Sequence, residues 1–517
     1  MQFTFPTEAQ ELAALRLDTC ALILFEGEQS DSPVLRALDG ALSGILSSVL
    51  EDEQFVGKKN QSFLLHTHGR VGAGRVLILG AGKRKDFQLN DVRFLTARAV
   101  RMANPSRARS IGIVLPTLQS DSAERVAQYA SEGAVLATYQ FDKYLTGERK
   151  KPIVLNDVAL LPAVPGALPP SDAAGAGGPS VLGDKAALQR GIARGQAIAE
   201  GVMLARDLVN EGANLMTPRY LATVADQLAK DRGLELTVLG PSECRELGMN
   251  LYLAVSQGSS EEPRFVHLTY RPSGTPRRRV VLIGKSVTFD SGGLSIKTVE
   301  GMLDMKMDMG GGGAVLGALS ALSKLGCPDE VHVLCAATEN MPSGTAYKLG
   351  DVIRGMNGKT VEINNTDAEG RLTLADAIAY ANSHIKPDLI LDFATLTGAC
   401  EVALGPHTAG VMSPNPDVAS GLLAAARTAG EDMWQLPLSD RLTEALKSDI
   451  ADIKQCGDRK GGCITAGLFL KEFVGDTPWV HVDMAGPVKA TQEAGHHAKG
   501  ATGFGVASIV EFLLPRS

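Results

Sequence analysis

The feature that most constrains the fold is a regular alternation of strand-length apolar runs and helical stretches in the C-terminal half of the chain. Apolar runs lie at 280–289, 331–338 and 389–394, with helical patterns at 314–325, ended by Gly326, and at 372–384, ended before Pro387. Continuous apolar strands that alternate with helices favour a parallel or mixed sheet covered by helices on both faces. Functional groups in such sheets gather at the carboxyl ends of the strands.

The N-terminal part repeats this alternation on a smaller scale. Short apolar runs at 20–25, 76–79 and 111–115 predict strands, and the stretches 90–103 and 122–138 predict helices. Residues 161–183 are rich in Pro, Gly, Ala and Ser and have no periodicity, which is typical of a linker.

A chain of 517 residues is too long for one hydrophobic core, so more than one domain is expected. We predict an α/β protein with a smaller N-terminal α/β domain at 1–160 and a connecting segment at 161–190. A larger C-terminal α/β domain at 191–517 should contain a mixed, largely parallel central sheet flanked by helices.

Charge and cysteine usage narrow the class of protein. The formal net charge is −7, so no global positive field would hold a nucleic acid or an anionic membrane. The seven cysteines form no CxxC pair, and an odd number gives no disulfide framework, which indicates a reducing compartment. No signal-peptide pattern and no run of eighteen apolar residues is present, so we expect a cytoplasmic protein that does not enter the membrane.

Three motifs place charged side chains at the predicted strand ends: GKSVTFDSGGLSIK from 284, MLDMKMDMGGGG from 302 and NNTDAEGRL from 364. Carboxylates suit Mg²⁺, Mn²⁺ or Zn²⁺, and four carboxylates together would repel one another without cations. Each motif alone has a simpler explanation, such as a turn-forming Asp, a surface Lys306 or a helix cap. Their joint occurrence at one end of one sheet predicts a two-metal site. The charged residues concerned are Lys285, Asp290, Lys297, Asp308, Asp367, Glu369 and Arg371.

With these motifs, the region from about residue 191 to the C-terminus resembles the leucine aminopeptidase (cytosol aminopeptidase) family of dinuclear metallopeptidases. FDSGGLSIK, MKMDMGG and NTDAEGRL stand intact, as do SDIADIK at 448–454, WVHVDMAGP at 479–487 and KGATGFGV at 499–506. The resemblance implies a hydrolase that releases N-terminal, preferentially apolar, residues from peptides and assembles as a homohexamer. The N-terminal part is similar to the family only in its α/β pattern and length.

The resemblance also implies the ligands of two divalent ions, which would be Mn²⁺, Zn²⁺ or Mg²⁺. Lys285, Asp290, Asp308 and Glu369 would bind one ion. Asp290, Asp367 and Glu369 would bind the other, with the backbone carbonyl of Asp367 as a further ligand. Lys285 must then be neutral, which a neighbouring dication and burial both favour.

Further roles follow from the same resemblance. Lys297 would stay charged and stabilise the oxyanion that develops from the scissile carbonyl. Arg371 would hold a bicarbonate ion that acts as general base for the attacking water. Asp367, with one metal, would receive the free α-amine of the substrate, which restricts cleavage to N-termini.

Substrate-binding residues are implied as well. Met305, Thr395 and Ala485 fall at the positions of a small apolar pocket for the first side chain, and Leu396 and Gly398 at positions that meet the substrate through backbone groups. Such a pocket suits Leu or Met, with a broad preference, because one methylene discriminates by only about 1–3 kcal/mol.

The chain departs from the family pattern at three places. The segment NEGANLMTP at 210–218 differs from the family's usual proline-containing form. Ser286 stands where the family usually has glycine after the first metal-binding lysine, and the run 310–313 contains more glycines than usual. None of these departures removes a predicted ligand.

Other functional classes fit less well. GKS at 284–286 resembles the end of a phosphate-binding loop, but Arg279 stands where that loop needs glycine. HExxH and GxSxG motifs are absent, and the histidine pairs at 66/68 and 496/497 are expected to be exposed. An additional, non-enzymatic role in DNA binding, known in some bacterial members of the family, stays open as the alternative. The basic clusters of the chain, at 271–279 and 150–152, are typical of solvated faces, so we do not expect nucleic acid as a partner.

Overall fold

A computed structural model of the chain describes residues 1–5, 16–28, 32–116, 123–150, 153–161 and 185–515. Most of the predicted connecting segment, residues 162–184, lies outside the described residues. The chain divides into two compact units, Met1–Ala199 with Glu493–Ala498, and Glu200–Gln492 with Lys499–Ser517. The boundary falls inside the helix Lys185–Asn210, and the domain limits inferred from the sequence stay a prediction.

The first unit is built on a six-stranded sheet in the order β1-β6-β5-β2-β4-β3. The strands are β1 Gln2–Thr4, β2 Leu17–Leu24, β3 Ser62–His66, β4 Ala73–Gly80, β5 Ser110–Val114 and β6 Asp157–Leu161. All neighbours are parallel except β3, which runs antiparallel to β4. The helices described in this part are Pro33–Ala41, Ile45–Asp52, Asn90–Ala103, Ala123–Leu136 and the start of Lys185–Asn210. The predicted strands and helices of this part are confirmed.

The second unit contains the remaining strands and most of the helices. The strands are β7 Glu235–Leu239, β8 Arg264–Tyr270, β9 Arg279–Asp290, β10 Glu330–Asn340, β11 Val352–Arg354, β12 Thr360–Glu362, β13 Leu389–Ala394, β14 Ala409–Met412, β15 Met433–Gln435, β16 Ile453–Lys454, β17 Trp479–Asp483, β18 Lys489–Ala490 and β19 Gly500–Ala501. The α-helices beyond Lys185–Asn210 are Pro218–Arg232, Pro241–Glu246, Asn250–Ser256, Val299–Met302, Gly310–Leu325, Gly370–Tyr380, Gly398–Leu404, Pro416–Ala429, Gly462–Val474 and Val506–Leu513.

Eight of these strands form the central sheet, in the order β15-β14-β17-β13-β9-β10-β8-β7. The four middle strands, β17, β13, β9 and β10, are parallel to one another. Strands β8, β7 and β14 join them in antiparallel pairings, and β15 runs parallel to β14. The predicted α/β class with a mixed, largely parallel sheet is therefore confirmed, and the parallel part lies at its centre.

Two helices follow the central strands closely. The helix after β9 begins at Gly310, four residues before its predicted start, and ends at Gly326 in the left-handed region with φ 71°. The helix predicted at 372–384 is the α-helix Gly370–Tyr380, continued by the π-helical turn Ala381–Ile385. Among the described residues no single helix is long and apolar enough to span a membrane. Only the bent pair Pro33–Ala41 and Ile45–Asp52 passes that test, by length and composition.

The glycine run at 310–313 lets its helix begin directly against the sheet. A Cβ atom at Gly311 would overlap the carbonyl oxygen of Phe393 on β13, and one at Gly310 would meet the side chain of Val488. Only residues without a side chain allow so close an approach of two backbones. This approach brings Asp308, just before the helix, to the carboxyl ends of β9 and β13.

A separate three-stranded sheet, in the order β11-β12-β16, lies next to the NTDAEGRL segment in the chain. β12 is antiparallel to β11 and parallel to β16, with Val361 opposite Ile453 and Glu362 opposite Lys454. Because the two parallel strands end together, the residues that follow them, 363–365 and 455–456, run side by side.

Candidate metal centre

Polar side chains meet where the four parallel strands of the central sheet end. Asp290 ends β9, Asn340 ends β10 and Asp483 ends β17, while Thr395 follows β13 directly. Because these strands are parallel, their carboxyl ends lie on one edge of the sheet. The second and third charged motifs reach the same edge through the turn before the helix Gly310–Leu325 and the loop before the helix Gly370–Tyr380.

Three carboxylates form a compact group at this edge. Asp290, Asp367 and Glu369 each offer an oxygen atom, and these atoms lie within 4.8 Å of one another. Asp290 and Glu369 are buried, and Asp367 is partly exposed. Asp308 is linked to them through Lys285, whose Nζ lies 2.8 Å from Asp308 Oδ1 and 2.8 Å from Glu369 Oε1.

The two lysines of the first motif lie on different sides of this group. Lys285 is buried on β9, and its Nζ also donates to the carbonyl oxygen of Thr395 at 2.9 Å. Lys297 Nζ lies 2.9 Å from Asp290 Oδ2 and 2.5 Å from Asp367 Oδ1, and its side chain is 17% exposed. For both lysines burial opposes the charged form, but the nearby carboxylates outweigh burial and raise the pKa above its ordinary value.

Burial raises the pKa of the carboxyl groups of Asp290, Asp308 and Asp367 above the ordinary range. Neighbouring carboxylates raise the three pKa values further. Both lysines lower the pKa of Asp290 and Asp367 in part, and Lys285 lowers that of Asp308. In the described part of the chain, the four carboxylates of Asp290, Asp308, Asp367 and Glu369 form ion pairs with only these two lysines. The excess of negative charge is the condition that bound cations relieve.

Four buried carboxylate oxygens have no hydrogen-bond partner among the described residues. These are Oδ2 of Asp308, Oδ1 of Asp367 and both oxygens of Glu369, of which Asp367 Oδ1 and Glu369 Oε1 lie at ion-pair distance from a lysine Nζ. A buried polar atom without a partner costs about 1–3 kcal/mol, and more when it carries charge. Carboxylate oxygens are the ligands that divalent cations take in proteins. The donor set therefore fits divalent metal ions.

Arg371 lies beside the carboxylates at the start of the helix Gly370–Tyr380. Its side chain is buried, and its Nη1 donates to the carbonyl oxygen of Gln455 at 2.9 Å. Its Nε is buried and lacks an acceptor in the part of the chain that the structure describes. A buried guanidinium with a free donor suits a small anion.

The structure places the predicted substrate-binding residues around this edge. Thr395 Oγ1 donates to Asp308 Oδ1 at 2.7 Å, which joins it to the cluster of carboxylates. The backbone N–H groups of Leu396 and Ala485 both donate to Asp483 Oδ1, at 3.1 and 3.3 Å. Met305 is half-buried in the turn Met305–Met307, and Gly398 is exposed at the start of the helix Gly398–Leu404.

Sequence reasoning missed several residues of the site. Asn340 Nδ2 donates to Asp290 Oδ1 at 2.8 Å and to the Thr366 carbonyl at 3.0 Å, so it fixes one carboxylate to the NTDAEGRL loop. Asp483 Oδ1 accepts the backbone N–H groups of Leu396, Thr397 and Ala485. The available signal was a polar residue at the end of a long apolar strand, as in CAATEN and WVHVD.

Two expectations about individual residues were wrong. Lys306, expected at the surface, is half-buried, and its Nζ donates at 2.6 Å to the carbonyl of Asn210, the last residue of a helix. The segment Met305–Met307 is a tight 3₁₀ turn. His496 and His497 are half-buried rather than exposed, whereas the pair at 66/68 is exposed as predicted.

The α/β fold and the cluster of carboxylates and lysines at its strand ends define the class: a metal-dependent hydrolase. Residues 203–510 match the model of the cytosol aminopeptidase family, catalytic domain, and residues 21–148 match that of the N-terminal domain of the same family. The chain belongs to the cytosol aminopeptidase family. It is a metal-dependent aminopeptidase of the leucyl type.

Relatives match almost the whole chain. Probable cytosol aminopeptidases of Rippkaea orientalis and of a Cyanothece species are 42% and 43% identical over 498 and 504 residues. The match covers 96% of this chain in both cases and 96% and 97% of the two relatives. A variant of tomato leucine aminopeptidase has a TM-score of 0.87 at 34% identity, covering 100% of this chain and 97% of its own. The bottromycin maturation enzyme BotP in complex with Mn has a TM-score of 0.82 at 34% identity, with 96% and 98% covered.

Proposed function

We propose that this site cleaves N-terminal peptide bonds with two divalent ions held by one compact set of ligands. Lys285, Asp290, Asp308 and Glu369 would hold the first ion, and Asp290, Asp367 and Glu369 the second. The observation that carries the proposal is the convergence of the last three carboxylates within 4.8 Å, beside buried carboxylate oxygens that accept no hydrogen bond from the described residues. The Mn complex of BotP supports metal binding in a structural relative.

The lysine and aspartate side chains of the site would then each have a separate role in the reaction. Bound Mn²⁺, Zn²⁺ or Mg²⁺ would supply Lewis-acid activation of the carbonyl and of water. Lys297, at the more open side of the cluster, would donate to the oxyanion that develops from the scissile carbonyl. Asp367, the most exposed of the carboxylates, would receive the α-amine of the substrate. Lys285 would act as a neutral ligand, which requires the charge of the ions to outweigh the surrounding carboxylates.

Arg371 would hold a bicarbonate ion as general base for the attacking water. Its buried Nε has no acceptor among the described residues, and Arg371 lies two residues after Glu369, which supports a small anion at this place. The hydrogen bond from Nη1 to the Gln455 carbonyl fixes the plane of the guanidinium. A planar guanidinium presents paired donors to a planar carboxylate or carbonate.

The first side chain of the substrate would lie against Met305, Thr395 and Ala485, with Leu396 and Gly398 meeting the substrate backbone. The side chains of Met305 and Ala485 and the methyl group of Thr395 are apolar, which favours Leu or Met over charged side chains.

We also propose a homohexamer in the cytoplasm, as the family resemblance implies. Relatives that cover 96% of this chain are described as cytosol aminopeptidases, which supports the compartment. The resemblance in the C-terminal motifs supports the assembly.

The DNA-binding alternative gains no support from the relatives. In the structure the basic run at 271–279 is engaged by carboxylates of its own unit. Arg277 and Arg278 contact Asp329, and Arg271 and Arg279 contact Glu330. Of the other basic cluster, residues 151–152 lie outside the described residues.

A substrate scan tests the proposed function. Leucyl, methionyl, glutamyl and lysyl amides would be compared with N-acetyl-leucyl amide at one concentration of Mn²⁺. We expect leucyl and methionyl amides to have the highest kcat/KM. The N-acetylated amide should not be cleaved, because its amine is blocked. Equal cleavage of the free and acetylated leucyl amides would refute the assignment of an α-amine site.

A further inference from the structure

The SDIADIK segment at 448–454 is attached to the metal-binding region through the small sheet. Ser448 Oγ donates to Glu362 Oε2 at 2.6 Å, and the backbone N–H of Thr360 donates to Asp452 Oδ2 at 2.8 Å. Both partners, Glu362 and Thr360, lie on β12. The segment therefore has a fixed position beside the strand that leads into the NTDAEGRL loop.

Gln455, the residue directly after β16, reaches that loop with its side chain. The side chain is completely buried. Its Oε1 accepts the backbone N–H of Asn365 at 3.3 Å, and its Nε2 donates to the carbonyl oxygen of Ala368 at 2.8 Å. One amide thus connects both ends of the segment that contains Asp367, and Glu369 follows directly.

The backbone around Gln455 is itself held in place. Its N–H donates to the carbonyl oxygen of Glu362 at 2.9 Å, and its own carbonyl accepts Arg371 Nη1 at 2.9 Å. Next to it, Asn364 and Cys456 exchange two hydrogen bonds of 2.9 Å between the Asn364 amide and the Cys456 backbone. The backbone that bears the Gln455 side chain is therefore held in a fixed position.

We propose that Gln455 is a positioning residue of the metal centre. Its side-chain amide sets the distance between Asn365 and Ala368 and so fixes where the carboxylates of Asp367 and Glu369 point. This inference rests on the proposed function. A glutamine suits the task because its amide offers one acceptor and one donor at the same reach. Groups that orient metal ligands in this way typically contribute 10–100-fold to metal affinity or activity.

The test compares metal binding in the wild-type enzyme and in Gln455→Met, which retains the volume and removes both hydrogen bonds. Calorimetric titration of the metal-free full chain with Mn²⁺ should show one of two ions bound about 10–100-fold more weakly in the variant. Amide hydrogen exchange in residues 363–372 should be faster. At low Mn²⁺ the variant should lose kcat with little change in KM, and excess Mn²⁺ should restore part of kcat.

Asn382→Ala is the matched control. Its amide also joins two segments, since Nδ2 donates to the Val474 carbonyl at 2.7 Å and Oδ1 accepts the Thr477 hydroxyl at 2.9 Å. None of these residues belongs to the metal centre. This variant should lose stability while it binds both ions with wild-type affinity.

A second variant, Gln455→Asn, retains the amide at a shorter reach and should weaken the same ion, to a smaller extent. It decides the question if Gln455→Met does not fold. Wild-type Mn²⁺ affinity for both ions in a folded Gln455 variant would overturn the positioning role. Failure of the wild-type chain to bind two ions would instead overturn the proposed function.

Discussion

At the scale of single residues, the structure separates two lysines that lie twelve positions apart. Lys285 is enclosed by Asp308, Glu369 and the Thr395 carbonyl, and its side chain is 4% exposed. Lys297 contacts Asp290 and Asp367 at the more open side. An enclosed amine is suited to be a ligand, whereas an amine at the open side can reach a substrate carbonyl.

Removal of each lysine should therefore have a different effect on metal content and on kcat. Lys285→Ala should lose metal at one site, and excess cation should restore part of its activity. Lys297→Ala should retain both ions and lose about 10²–10³-fold in kcat, because a charged donor to the oxyanion acts mostly in the transition state. Metal analysis of both purified variants, together with kcat at saturating Mn²⁺, measures the difference. An emptied metal site in Lys297→Ala, with both ions retained in Lys285→Ala, would reverse the assigned roles.

Two of the departures from the family pattern, Ser286 and the glycine run at 310–313, form a structural pair. Ser286 is buried on β9, and its hydroxyl donates to the Gly284 carbonyl at 2.9 Å. A Cβ atom at Gly312 would overlap this hydroxyl. The extra glycine at 312 thus provides the space that the serine occupies.

This pairing predicts strong coupling between the two positions. Gly312→Ala should lower the free energy of unfolding by about 1–3 kcal/mol through overpacking. The double variant Ser286→Gly with Gly312→Ala should recover most of that loss, because the space for the methyl group is restored. Urea unfolding of the wild type, both single variants and the double variant gives the coupling energy. Additive effects within about 0.5 kcal/mol would show that the two residues do not compete for space.

At the scale of elements, the strands that carry the site were predictable because their signals are local. Continuous apolar runs located β9, β10 and β13, and the polar residue at the end of β9 belonged to a motif. The start of the helix at Gly310 was not predictable, because four glycines normally break a helix and these four are explained only by tertiary contacts, among them those with β13, β9 and Val488.

The supporting residues of the site were beyond the reach of sequence reasoning for a different physical reason. Gln455 acts on a loop about ninety residues away, and only the parallel pairing of β12 with β16 brings the two together. The hydrogen bond between Asp483 and the backbone of Leu396 similarly requires that the paired strands β13 and β17 end side by side. The motifs indicated the candidate metal-binding and catalytic side chains. The pairing of the strands determines which other residues hold those side chains in position.

The helix Gly370–Tyr380 carries a buried carboxyl group that should make stability depend on pH. Asp376 accepts the backbone N–H groups of Met356 and Tyr252, each at 2.9 Å. Burial raises its pKa to about 7, although these hydrogen bonds oppose the rise. The folded state therefore binds a proton that the unfolded state releases near pH 4.

The stability that this proton contributes is fully present below about pH 4 and is lost as the pH rises through about 7. We expect a contribution of about 1.4 kcal/mol per pH unit to the fall in the free energy of unfolding over this range. Asp376→Asn should lack that contribution. Urea unfolding at pH 5, 6, 7 and 8 measures how steeply the free energy of unfolding falls with pH in the wild type and in the variant. Equal slopes in the two proteins would contradict the raised pKa.

At the scale of the whole molecule, the family membership extends over both compact units. The two family models match residues in each of them, and the relatives cover 96% of the chain. The proposed assembly belongs to this scale. We expect light scattering coupled to size exclusion to give the mass of six chains. An active monomer at micromolar concentration would refute the proposed hexamer.

Five side chains at one edge of the sheet are proposed to hold two divalent ions that the reaction needs. Metal analysis of the purified protein, before and after chelation, combined with leucyl-amide hydrolysis, measures whether activity requires these ions. We expect two ions per chain, loss of activity with their removal, and recovery with Mn²⁺, Zn²⁺ or Mg²⁺. Full turnover by metal-free protein would show that the reaction does not need them.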